Sequence, residues 1–311
     1  MQMTFILIYW LGNLQALFAQ TAQALPFLIL MTLLAGRKGN AALCLWGGRQ
    51  LLRLGLSCAA IALPLFPLML LLEALRQPQM PPLADLLAQP ATVALLAWLP
   101  ATLLLWGLLR ASRHWPDATD QAITAYRASD LRLTLWGCLL ALLLFLLGSL
   151  LATGLLLAPP QGMERSNFVL LQIRQALHLL FRYLSLAGGA ALLWLWHLRH
   201  RAPLADERQF SLAVRWCAVW AVAGYLPSIL DFWSTLLAAL LRSLRSGIPF
   251  DIMPQMNALA LSVLAALAII SWSVFLYRPL KARSLALQLL PWCFLIMRMA
   301  VPLTQLQLPR P

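Results

Sequence analysis

Eight long apolar runs, almost free of charge, constrain this chain more than any other feature. They lie at roughly 4–35, 51–75, 91–112, 131–158, 167–197, 212–241, 256–277 and 284–306. About 20 apolar residues of helix cross a hydrocarbon core, whereas a barrel strand needs only ~10 residues of alternating pattern. Lipid offers no partner for backbone N–H and C=O groups, so runs of this length must close their hydrogen bonds as helix. The expected fold is therefore all-α: a polytopic integral membrane protein with about eight transmembrane helices. Composition agrees, with 62% hydrophobic and 11% charged residues, against roughly 45–50% and about 25% in soluble domains. The opening "MQMTFILIYW" lacks a basic leader and a small-residue cleavage site, so it reads as the start of the first span. The first, fifth and sixth runs exceed a bilayer's need and are expected to tilt or project.

The net charge of +13 is explained by position. Fifteen Lys and Arg residues, from Arg37 and Lys38 to Lys281 and Arg283, lie in the odd-numbered loops or at their helix ends. Only Arg76, Arg165, Arg242, Arg245 and Arg310 lie on the other side. Basic loops stay in the cytoplasm, so both termini are expected outside, in a bacterial-type inner membrane. The positive charge then faces anionic lipids, and nucleic acid is not an expected partner. The five cysteines stand singly in apolar surroundings and read as small buried hydrophobes.

A shift of 163 positions brings landmarks into register. Arg37 and Lys38 fall on His200 and Arg201, Leu63-Pro64 on Leu226-Pro227, and Pro116 on Pro279; Trp136 comes near Trp292 after a shorter loop. This pattern predicts two four-helix units, 1–158 and 159–311. Four is even, so both would enter the membrane in the same orientation, about an axis along its normal.

Ionisable residues inside the runs mark candidate sites, because a charge at membrane depth needs a partner or a purpose. Arg174, His178 and Arg182 recur at i, i+4 and i+8, one stripe of a helix. With Asp231 and Arg298 they are expected to share a layer in the outer half of the second unit, as a proton relay or as a structural lock. The first unit has a milder stripe, Tyr9, Asn13 and Gln20, with Glu73 at the outer end of the second run. The histidines His114, His178, His197 and His200 are not placed as haem ligands. No metal-ligand spacing, P-loop or hydrolase motif is seen.

Eight spans, two similarly oriented four-helix units, outside termini and an outer polar layer together resemble the membrane subunits of the polysulfide, dimethyl-sulfoxide and nitrite reductase group, the NrfD-like family. Topology carries the resemblance; no motif does. It implies a quinone-interacting subunit of a respiratory or electron-transfer complex, with no metal of its own and with iron–sulfur or cytochrome partners. The family's quinone pocket lies in the first unit, which would make Tyr9, Asn13, Gln20 and Glu73 the quinone-binding candidates. Two other readings stand beside it: a permease-type subunit for a small anion or lipid-like substrate, and a structural subunit that docks partner chains.

The charge bias yields a direct expectation. Reporter fusions at Met1 and at Pro311 should both report the non-cytoplasmic side; a cytoplasmic signal from either end would overturn the topology and the depth assignments built on it.

Overall fold

In the computed structural model, residues 2–36, 41–76, 90–114, 128–152, 165–201, 203–246 and 256–306 are described. They contain eight α-helices: α1 Gln2–Gly36, α2 Ala41–Arg76, α3 Pro90–Ala111, α4 Ala128–Ala152, α5 Arg165–Leu198, α6 Glu207–Ser246, α7 Met256–Tyr277 and α8 Leu285–Leu306. Two 3-10 segments, Ser112–His114 and Pro279–Arg283, follow α3 and α7. No strand occurs among the described residues. Seven of the helices are long and apolar enough to cross a membrane, and α8 carries a shorter apolar stretch, Leu285–Ala300. The chain is an all-α, multi-pass membrane protein.

Its surface is inverted relative to a soluble bundle. Leu96, Leu103, Leu133, Trp136 and Leu230 are each at least 65% exposed, an arrangement that water would penalise and lipid does not. Small residues such as Ala24, Ala101, Ala141, Ala187, Ala218 and Ala268 occupy the interior. Between apolar helices in lipid there is little hydrophobic drive, so close backbone approach and packing hold them together. Buried hydroxyls close onto their own helices: Thr21 Oγ1 donates to Leu17 O at 2.8 Å and Thr32 Oγ1 to Leu28 O at 2.7 Å.

The chain forms two compact units, Met1–Ala187 and Gly188–Pro311, with the boundary inside α5. The division expected after residue 158 falls in 153–164, outside the described residues. In the first unit, α1 packs on α2 and α4, and α3 on α2 and α4, closing a four-helix ring. Gly148 of α4 leaves room for the Trp98 indole of α3, which also meets Phe66 edge-on at 6.3 Å.

In the second unit, α7 packs on α6 and α8, and the Pro279–Arg283 turn touches all three. Asp206 caps α6, its carboxylate accepting from Arg208 N at 3.4 Å and Gln209 N at 3.2 Å; this satisfies two of the orphan donors of the first turn. Across the loops, Arg283 reaches Glu207 Oε1 at 3.0 Å and lies over the Phe210 ring, while Trp196 Nε1 donates to Arg283 O at 3.1 Å. The fully buried Gln288 donates to Ala282 O at 3.2 Å, fixing the turn onto α8. The last turns of α5 lie directly against α6: a Cβ on Gly188 would stand 2.5 Å from Ala221 N and 2.8 Å from Cys217 O.

That contact separates two glycines. Gly188→Ala should lower the thermal midpoint of the detergent-solubilised protein by the equivalent of about 1–3 kcal/mol, because the added methyl meets backbone. Gly107→Ala, with nothing within 4 Å of its Cβ position, should leave the midpoint unchanged or raise it. Equal shifts for the two variants would refute the close α5–α6 approach.

Candidate functional site

In the first unit, polar groups from α1, α4 and α5 meet inside the bundle. Ser149 Oγ lies 2.7 Å from Gln23 Oε1 and 2.9 Å from Phe145 O, and its side chain also hydrogen-bonds that of Tyr183. Gln23 is 4% exposed, Ser149 and Tyr183 7% each. One hydroxyl carries a single proton and two lone pairs. Ser149 therefore divides its proton between the Gln23 amide and the α4 carbonyl. The neighbouring Gly148, with no side chain of its own, lets α4 sit close to α3 just where Ser149 turns inward.

Beside this polar chain lies a cavity of about 210 Å³, lined by Leu146, Ser149 and Leu150 of α4 and by Ile173, Leu177, Leu179, Leu180 and Tyr183 of α5. Its surface is wholly apolar, Ser149 and Tyr183 lining it with carbon. Arg182, next to Tyr183, acts electrostatically on that tyrosine, and its Nε is buried with no hydrogen-bond partner among the described residues. Tyr183 stands 15 residues from the end of α5 at Leu198, about 22 Å at the helical rise. Gln23 stands 13 residues from Gly36, about 20 Å. Measured from the basic-loop ends of α1 and α5, both distances place these polar groups past the middle of a ~30 Å core.

The residues singled out from the sequence fall in several places. Asn13 Nδ2 donates to Tyr9 O at 2.9 Å, within its own helix, and Tyr9 meets Trp10 edge-on at 6.3 Å. Gln20 is half-buried on α1, one turn before Gln23. His178 and Arg182 are half-buried on α5 in the first unit, flanking the cavity wall in sequence. The side chains of Glu73, Arg174 and Asp231 lie outside the described residues. Arg298 belongs to the second unit, where its guanidinium sits 5.5 Å from the centroid of the Tyr225 ring. Tyr225 stacks on Trp272 at 6.3 Å and 21°, and Trp272 meets Trp292 edge-on at 6.3 Å and 83°. Gly189 makes room for this stack, since a Cβ there would meet Trp272 Cζ2 at 2.5 Å.

Gln23, Ser149 and Tyr183 were not among the sequence candidates. The available signal was weak: a glutamine one turn beyond the Tyr9–Gln20 stripe, and a serine beside a glycine in "LLGSLL". Among the described residues no group of three His, Cys, Asp or Glu side chains converges. Comparison with protein-family models, with curated proteins and with solved structures finds no match to this chain.

The shared Ser149 proton generates a stability test. Ser149→Ala leaves the buried Gln23 amide without this partner, at a cost of about 1–3 kcal/mol. Gln23→Leu alone should cost less, and the double variant less than the sum, with a coupling of about 0.5–2 kcal/mol in thermal unfolding. Strict additivity would show that the contact carries no energy.

Proposed function

We propose that this protein is a quinone-interacting subunit of a membrane electron-transfer complex, seated in a bacterial-type inner membrane with both termini outside. The observation that carries the reading is an aliphatic cavity on α4 and α5, lined in part by Ser149 and Tyr183, with Gln23 hydrogen-bonded to Ser149 beside it. A quinone head needs apolar walls for its ring and hydrogen-bond donors for its carbonyls. Ser149 and Tyr183 line the cavity, and Gln23 hydrogen-bonds Ser149 behind it. The resemblance of topology to the NrfD-like subunits leans the same way, although five of the cavity's lining residues belong to α5, the first helix of the second four-helix repeat. Its wall is built from α4 and α5 rather than from Tyr9, Asn13, Gln20 and Glu73.

A bound quinone would supply two-electron, two-proton redox chemistry; the residues of this chain would do the rest. Tyr183 donates its O–H to a carbonyl oxygen at the buried end and orients the ring. Arg182, beside Tyr183, supplies positive potential that favours negative charge developing there. Half-buried His178, one turn before Arg182 on α5, would carry protons between this end and the membrane surface. Partners of iron–sulfur or cytochrome type would deliver or remove electrons, and the basic loops would face anionic lipids.

Protein extracted in mild detergent should carry quinone, quantified by mass spectrometry of its lipid extract. Tyr183→Phe should reduce that occupancy about fivefold, the loss of one hydrogen bond worth about 1 kcal/mol, with the elution profile of the protein unchanged. Quinone at the background level of an unrelated membrane protein would refute the proposal.

A further inference from the structure

We infer that the Pro279–Arg283 turn between α7 and α8 holds the phosphate of an anionic membrane phospholipid on the edge made by Arg278 and Lys281. The site belongs to the second unit and does not depend on the quinone reading.

Charge accounting comes first. Both carboxylates of these loops are engaged: Asp206 caps the first turn of α6, and Glu207 pairs with Arg283. Arg199 is engaged too, lying 4.4 Å from the centroid of the Trp196 ring with Nη1 donating to Trp196 O at 2.9 Å. Arg201, Arg208, Arg278 and Lys281 are exposed and have no side-chain partner among the described residues. Four cations are left over once both loop acids are used.

Geometry selects two of the four. In the stretch "YRPLKARSL" (277–285) Pro279 and Ala282 are buried, so one edge of the turn faces the protein. Side chains three apart eclipse in a 3-10 turn, which rises ~2.0 Å per residue. Lys281 N donates to Arg278 O at 3.1 Å, closing that turn and putting Arg278 and Lys281 on one edge, about 6 Å apart along it. A phosphate fits between two cations at that spacing, the guanidinium offering paired donors and the ammonium a point charge. The frame is fixed from three sides: Ser284 N donates to Lys281 O at 3.0 Å, Gln288 to Ala282 O at 3.2 Å and Trp196 Nε1 to Arg283 O at 3.1 Å. Charges held in place beforehand lose less freedom on binding.

Apolar neighbours identify the occupant. Tyr277 is 81% and Leu280 43% exposed, and the same spacing of three sets them on the adjoining edge. Tyr277 ends the apolar stretch Leu259–Tyr277 of α7, so the turn stands where hydrocarbon gives way to headgroups, the level that tyrosine favours. A free anion or an acidic water-soluble protein would leave these two side chains unused. A phospholipid sets its phosphate on the basic edge and its acyl chains against the apolar one.

Native mass spectrometry of the full chain in detergent, titrated with phosphatidylglycerol or with phosphatidylcholine of the same acyl chains, tests the site. The wild type should bind the anionic lipid about 25-fold more tightly, about fivefold for each cation. Arg278→Gln combined with Lys281→Gln should abolish that preference; both side chains are exposed and unpaired, so the elution profile should not move. Arg201→Gln combined with Arg208→Gln removes equal charge from the same loops and should weaken the anionic lipid less than threefold. Equal losses in the two double variants would show diffuse attraction rather than a site and overturn the inference, as would equal binding of the two lipids by the wild type. Competition by glycerol phosphate as effective as by the lipid would overturn it in favour of a free phosphate. Loss of a co-purifying acidic protein from the Arg278→Gln, Lys281→Gln variant, with its lipid preference intact, would overturn it in favour of a protein partner.

Discussion

Hydrogen bonding without water governs this molecule. In lipid each backbone N–H and C=O must be satisfied within the chain, which forces the long helices, and each inward polar side chain must then find its partner among what those helices leave over. Thr21, Thr32 and Thr102 solve this locally, donating to the carbonyl one turn back on their own helix. Ser149 also reaches its own helix, at Phe145 O, but in addition joins residues from two other helices. A hydroxyl that could be satisfied locally yet also ties three helices together does more than the fold requires, and it does so at the edge of a cavity.

Packing explains why that cavity persists. Elsewhere the helices approach closely, through Gly188 on α6 or Gly148 on Trp98, and small residues leave little space between them. At the α4–α5 wall, branched Leu and Ile side chains face one another across the gap. Filling the space with a larger side chain would add dispersion contacts. The open volume is thus a feature that stability alone would remove.

The helices were legible in the sequence because lipid imposes both their length and their apolarity. Their ends were less so. The second run was expected from 51, with Arg49 and Arg53 in the loop or at its helix end, but α2 begins at Ala41; Arg53 is accommodated within it, Nη1 donating to Gln50 Oε1 at 3.3 Å. The sixth was expected over 212–241, and α6 runs Glu207–Ser246. Hydropathy measures the stretch that lipid touches, while a helix continues for as long as its backbone bonds do. The site was the least legible part. Charge drew attention to Arg298 and Asp231, but Gln23 and Ser149 are 126 residues apart, carry no charge, and belong to residue types common in any helix. Only their convergence distinguishes them, and convergence is a property of the packed chain.

The two units fill their interiors with different chemistry. Under the 163-residue register, Tyr225 and Trp272 stand where the first unit has Ala62 and Leu109. The large rings of the second unit stack on each other and against the Arg298 guanidinium. Aromatic pairs of this kind contribute about 0.5–1.5 kcal/mol beyond the area they bury. The first unit has smaller side chains at the matching positions, and a chain of hydroxyl and amide groups lies beside its open cavity. If the units descend from one ancestor, one copy has been filled with rigid aromatic contacts that strengthen the bundle.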